Sequence, residues 1–163
     1  MIKPIDPSTF PIAAEVIRAG FASVADEMGL TERSCPNYVG FLITAGHLRT
    51  HHERGWLLYG LYDHERLVGY VSLSKEADRV YGLHNLAVLP EYRHKGYGKK
   101  LLDFCVARVR ELGANKVRIS IVDENTVLKN WYLGYGFIHT STKKFKHLPF
   151  ISGYMELEVK EWD

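Results

Sequence analysis

The feature that most constrains this chain is a strand that runs into a basic glycine loop and then into a helix. It spans Leu86–Leu102 and reads Leu-Ala-Val-Leu-Pro-Glu-Tyr-Arg-His-Lys-Gly-Tyr-Gly-Lys-Lys-Leu-Leu. Pro90 has no N–H to give to a ladder, so the strand closes there. Gly96 and Gly98 free the backbone just before the helix, where unpaired amides and the helix dipole favour an anion. Lys99 and Lys100 fall in the first turn, against that dipole. A local rule broken in this way points to a ligand, and the stretch is expected to bind phosphate.

On the N-terminal side, Ile2–Ile5 is expected as a short strand. Ile12, Ala13, Val16, Ile17, Gly20 and Phe21 recur at helical spacing and predict a helix from the Ser8-Thr9 cap to about Val24. A second helix is expected from Pro36-Asn37, with Tyr38, Phe41, Leu42, Ala45 and Leu48 on one face. The period then changes. Trp56–Tyr62 and Leu67–Leu73 read as a hairpin turned at Asp63–Arg66, and Val80–Leu89 as the strand that feeds the loop.

After the loop, Leu101, Leu102, Cys105, Val109 and Leu112 stripe one helix face up to Gly113. Lys116–Val122 alternates as a strand, so strand, helix and strand form a crossover with parallel strands. A shorter helix over 125–133, bounded by Gly134, precedes two strands, Phe137–Phe145 and Tyr154–Val159, expected to pair antiparallel. The whole is one α/β domain over 1–163 (α+β by some schemes), with flanking helices on a mixed sheet.

At 163 residues the chain supports one proper core. A net charge of +2 does not by itself imply a nucleic-acid or membrane partner. Cys35 and Cys105 form neither a disulfide framework nor a Cys-x-x-Cys metal pair. No apolar signal core or membrane-length run is present, so a cytoplasmic protein is expected.

Three glycine-loop patterns compete for the anion. A P-loop requires a hydroxyl after Gly98-Lys99, where Lys100 stands. A dinucleotide fingerprint requires a third glycine, where Leu101 stands. The third pattern, Arg-x-x-Gly-x-Gly, is present as Arg93-His94-Lys95-Gly96-Tyr97-Gly98. Downstream, Asn125 precedes Tyr132 by seven residues, and Gly136-Phe137 follows. With these two signatures in a matching order of elements, the chain resembles the GNAT superfamily of acetyl-CoA-dependent N-acetyltransferases.

The resemblance implies a GNAT fold whose mostly antiparallel sheet contains one splayed parallel pair. It also implies acetyl transfer from acetyl-CoA to a primary amine by direct attack in a ternary complex, with no metal. A non-catalytic acyl-CoA-binding or regulatory module on the same fold is the alternative. The pyrophosphate falls to Arg93, His94, Lys95, Gly96, Tyr97, Gly98 and the adjoining Lys99. Pantetheine and the acetyl carbonyl fall to Leu86, Ala87 and Val88, with Asn125, Asn130 and Tyr132 on the later helix. Gly134-Tyr135-Gly136 departs from the family in having two glycines before the Phe. Dimers are common among relatives, so a monomer or a homodimer is expected.

The chemistry needs an acid for the departing thiolate and a base for the amine. Tyr132 is the expected acid, with a packing aromatic as its plainer role. No carboxylate lies between Arg79 and Glu91, where many relatives place one. His84, sharing a strand face with 86 and 88 by simple alternation, is therefore the candidate base, with a buried structural histidine as the alternative. Phe21, Met28 and Tyr38 are expected to shape the acceptor side. His47 and His51 stand at metal-ligand spacing but lack a third ligand, and a solvated helix end accounts for them better.

Overall fold

The computed structural model describes residues 1–161. The strands are β1 (Ile2–Pro4), β2 (Leu57–Asp63), β3 (Arg66–Ala77), β4 (Val80–Val88), β5 (Lys116–Val122), β6 (Ile138–Lys144) and β7 (Ile151–Glu158). The helices are α1 (Phe10–Glu27), α2 (Val39–Leu42), α3 (Ala45–Glu53), α4 (Tyr97–Glu111) and α5 (Thr126–Tyr135). The strands form one seven-stranded sheet in the order β1-β2-β3-β4-β5-β7-β6. The pairs β1–β2, β2–β3, β5–β7 and β6–β7 are antiparallel, whereas β4 pairs parallel with β5, as a strand-helix-strand crossover demands.

The chain divides into two compact units. One comprises Met1–Ser74 and Leu83–Cys105, the other Lys75–Gly82 and the residues from Val106 onward. In the first unit Phe10, Ile17, Leu48, Leu61, Val68, Tyr70, Val71, Leu101 and Leu102 are fully buried. Each such aliphatic or aromatic side chain stabilises the fold by about 2 kcal/mol through lost apolar exposure. In the second unit β7 lies between β5 and β6, and Val109, Val117, Phe137 and Met155 are buried.

The parallel ladder is short. It joins Val80 to Lys116, Tyr81 to Val117 and Gly82 to Arg118. β4 itself continues to Val88, and the ladder does not extend to Leu86, Ala87 or Val88.

β3 runs past the expected Leu73 to Ala77, β7 starts at Ile151 rather than Tyr154, and α1 reaches Glu27 rather than Val24. Two further boundaries differ from the sequence expectation for reasons visible in the local backbone. The second helix is broken into α2 and α3 at Thr44. Its backbone is extended, its hydroxyl accepts from the His47 N–H, and its own N–H donates to His47 Nδ1 at 3.1 Å. This reciprocal cap stops one helix and starts another. The later helix passes through Gly134 and ends at Gly136, whose φ of 127° no L-residue readily adopts.

Candidate active site

In the first unit, the approach to the loop is fixed by backbone and by one arginine. Past β4, the Leu89 N–H donates to Val68 O at 2.9 Å, and a 3-10 turn over Pro90–Tyr92 follows. His94 and Gly96 then take left-handed backbones, with φ of 62° and 81°. The first helical bond runs from the Lys100 N–H to Gly96 O at 3.1 Å. The amides of Tyr97, Gly98 and Lys99 therefore project from the start of α4, where an anion is favoured. Gly98 lies within the helix, so the left-handed positions are His94 and Gly96, not the two glycines the motif emphasises.

The side chains of the loop are more committed than the motif suggests. Arg93 Nη2 donates to Gly20 O on α1 at 2.7 Å, so its head ties the loop to the fold. Lys99 pairs with Asp103 at 2.8 Å, one turn on, which compensates its unfavourable place at the helix start. Lys95 lies over the ring of Tyr92 at 5.1 Å, and Lys100 over Tyr97 at 5.3 Å. Tyr92 and Tyr97 stack at 6.3 Å, so the loop presents an aromatic and cationic rim. Gly20 matters here as well. A methyl group there would stand 2.9 Å from Ala87 Cβ and 3.4 Å from Val88 O, so α1 packs directly on the strand that leads to the loop.

His84 sits midway along β4. Its Nε2 is 2.7 Å from Ser74 Oγ, and Ser72 Oγ donates to its carbonyl at 3.3 Å. The next residue, Asn85, is left-handed with φ 55°, which interrupts the alternation of the strand. The simple rule placing 84, 86 and 88 on one face does not carry across this kink. The imidazole of His84 stacks on Trp56 at 4.5 Å, and His51 stacks on Trp56 at 4.0 Å. The indole is thus held between two imidazoles. Burial pushes His84 down to about 4, with His51 adding to the effect. Burial also pushes His51 down, with His47 and Arg54 contributing, and its buried Nδ1 has no hydrogen-bond partner among the described residues.

A cavity of about 240 Å³ opens beside this stack, lined by Asn37, Val39, Leu42, Ile43, His47, His51, Trp56, His84 and Asn85. Of the residues expected on the acceptor side, Phe21 and Tyr38 meet edge-to-face at 6.1 Å, and Tyr38 meets Phe41 at 5.8 Å. Burial raises the Tyr38 phenol, which stays neutral. Met28 lies at the C-terminal cap of α1.

In the second unit, Asn125 caps α5, its Oδ1 accepting from the Leu128 N–H at 3.2 Å. That oxygen is engaged in holding the start of the helix. Asn130 is exposed on α5. Tyr132 is only 5% exposed, and its ring meets Trp131 at 4.9 Å and Phe137 at 5.2 Å. Asp123 accepts from Lys129 at 2.9 Å and contacts His139 at 2.8 Å, and the Lys129 hydrogen bond is the main cause holding its carboxyl low. A groove of about 410 Å³ lies over Glu76, Arg118, Thr140, Tyr154 and Glu156. There Arg118 Nε donates to Glu156 at 3.0 Å, and burial raises the Glu76 carboxyl against the pull of Arg118.

The sequence did not single out Trp56, Ser74 or Gly20. By pattern Trp56 falls in a strand, and His51 is notable only for its spacing from His47. His47 is spent on the helix cap, and no group of three or more metal-ligating residues occurs among the described residues. No described helix is long and apolar enough to cross a membrane.

The model of the acetyltransferase (GNAT) family matches residues 22–137. The fold is similar to that of PaiA N-acetyltransferase from Thermoplasma acidophilum, solved with coenzyme A, at a TM-score of 0.83 and 21% identity, covering 97% of this chain and 98% of that one. Ribosomal-protein-S18-alanine N-acetyltransferase of Escherichia coli is similar at 0.78 and 14% identity, over 100% and 96% of the chains. The yncA protein of Salmonella typhimurium, solved with its cofactor acetyl-CoA, is similar at 0.71 and 16% identity, over 100% and 95%.

Proposed function

The chain belongs to the acetyltransferase (GNAT) family, and on that premise we propose that it moves the acetyl group of acetyl-CoA onto a primary amine by direct attack in a ternary complex. The observation that carries this reading is the start of α4. His94 and Gly96 are left-handed and the first helical bond starts only at the Lys100 N–H, which supports an anion site at the amides of Tyr97, Gly98 and Lys99. That the PaiA and yncA neighbours were solved with coenzyme A and acetyl-CoA supports the same ligand here.

In the proposed reaction the neutral amine attacks the thioester carbonyl, forming C–N, and collapse of the adduct breaks C–S. The backbone amide near Val88 serves the developing oxyanion. Tyr132 gives its proton to the departing thiolate, a role drawn from its place in the family's second signature.

A free alkylammonium has a pKa of roughly 10.4, so an imidazole near 4 lies about 9 kcal/mol uphill as its direct proton acceptor. His84 instead takes the proton from the far more acidic ammonium of the adduct, and releases it readily because burial disfavours its charged form. Removing this one imidazole tests the assignment: if His84→Ala leaves turnover and the pH–rate profile of a folded enzyme intact, His84 is not the base.

Thermal denaturation with acetyl-CoA, CoA and ATP tests the whole reading. At a hundredfold excess over Kd, acetyl-CoA should stabilise by about 2.7 kcal/mol, or roughly 5–10 °C in Tm for a chain of this size. Stabilisation by ATP and by neither CoA species would overturn it. Binding without thiol release across aromatic monoamines, polyamines, aminoglycosides, amino acids and peptide N-termini would select the non-catalytic module instead.

A further inference from the structure

The cavity beside the Trp56 stack has a lining that restricts what it accepts. No Asp, Glu, Lys or Arg belongs to it. Both faces of Trp56 are occupied by His51 and His84, so what the indole offers a guest is its rim. An aromatic rim favours the face of another ring and offers a cation no π-surface to rest on. Val39, Leu42 and Ile43 supply aliphatic wall, and Asn37 and Asn85 supply the carboxamides. The volume, about 240 Å³, is below that of pockets that hold drug-sized ligands, and suits one ring with a short arm.

We propose that this cavity holds the body of the acceptor, and that the acceptor is a small monoamine with an aromatic or compact apolar group, not a polyamine or an acidic molecule. The inference rests on the acetyl-transfer reading and names its substrate class. The apolar body enters between α2, α3 and the kink of β4. The amine stays at the mouth, where a carboxamide oxygen of Asn37 or Asn85 accepts its N–H. A polyamine would have to bury a second ammonium where no carboxylate offsets its desolvation, and an acidic body would meet no cation.

The test uses the full chain with 2-phenylethylamine, spermidine and glutamate as probes. Binding is followed without acetyl-CoA from the Trp56 indole and the His51 and His84 ring signals by NMR, and turnover is followed by thiol release. We expect 2-phenylethylamine to move those three signals and to have a kcat/KM at least about tenfold above spermidine. Leu42 lies at the rim, 41% exposed, so Leu42→Trp narrows the mouth without burying a new group. That variant should raise the KM for 2-phenylethylamine roughly tenfold and leave the KM for acetyl-CoA unchanged.

A titration in which 2-phenylethylamine leaves all three signals in place overturns the assignment, as does a preference for spermidine or glutamate. Because the titration omits acetyl-CoA, it decides the cavity even if acetyl-CoA fails to bind. A thermal shift by acetyl-CoA with silent ring signals would remove this inference alone.

Discussion

At the scale of single residues, the loop and the buried aromatics separate holding from reacting. Arg93 opens the glycine motif, yet its guanidinium is spent on Gly20 O. A partly buried, charge-assisted bond of this kind contributes about 1.5–3 kcal/mol. Arg93→Ala should therefore lower stability by about 2 kcal/mol in urea denaturation, and weaken acetyl-CoA binding through a loosened loop. Arg93→Lys should recover only part of both, because an ammonium replaces a fork.

Tyr132 makes the opposite prediction. Its ring is packed between Trp131 and Phe137, and phenylalanine preserves that packing. Tyr132→Phe should keep Tm within a degree or two and leave acetyl-CoA affinity unchanged, while kcat falls about 10²-fold. A variant with unchanged kcat would return Tyr132 to a packing role.

At the scale of elements, α1 and β4 are held together by an absence. Gly20 has no side chain, and its helix approaches Ala87 and Val88 so closely that a methyl would stand 2.9 Å from Ala87 Cβ. Atoms at that distance must move, and a packed interior moves at a cost of about 1–3 kcal/mol. Gly20→Val should exceed Gly20→Ala in lost stability. Both should raise the KM for acetyl-CoA, since Ala87 and Val88 are the strand residues expected to meet its acetyl arm. Equal loss of stability with an unchanged KM would show that β4 tolerates displacement.

The break between α2 and α3 is an element-scale feature of the same importance. A single continuous helix would carry Ile43 and His47 in one straight run. The Thr44–His47 cap turns the chain there, and Val39, Leu42, Ile43, His47 and His51 then line one cavity.

At the scale of the molecule, pH acts on the stability of the fold through His84. In the unfolded chain this imidazole binds a proton near 6.5, and in the folded chain only near 4. Between those values the unfolded state binds more protons. The fold is therefore fully stable above about 6.5 and loses stability as pH falls toward 4, by about 3 kcal/mol. His51, also pushed down by burial, acts in the same direction. Urea midpoints at pH 7.5 and 4.5 measure the loss, and His84→Gln should remove most of that difference. If the wild type and His84→Gln lose the same stability, the buried imidazole is not the group that titrates.

The sequence by itself determined the order of the strands, the parallel crossover and both family signatures, and it read the glycine loop as an anion site. These follow from periodicity, from glycine and proline, and from spacing along the chain, all of which are local. It also named His84, but by elimination along one strand. What only the tertiary structure decided is what each side chain is spent on. Arg93 meets α1 seventy-three residues away, and His84 meets Ser74 and Trp56 from other strands or strand ends. The kink at Asn85, the cap at Thr44 and the indole between two imidazoles likewise depend on neighbours that pattern does not encode. A titration set by burial, and a cavity set by which faces remain uncovered, exist only after the chain has packed.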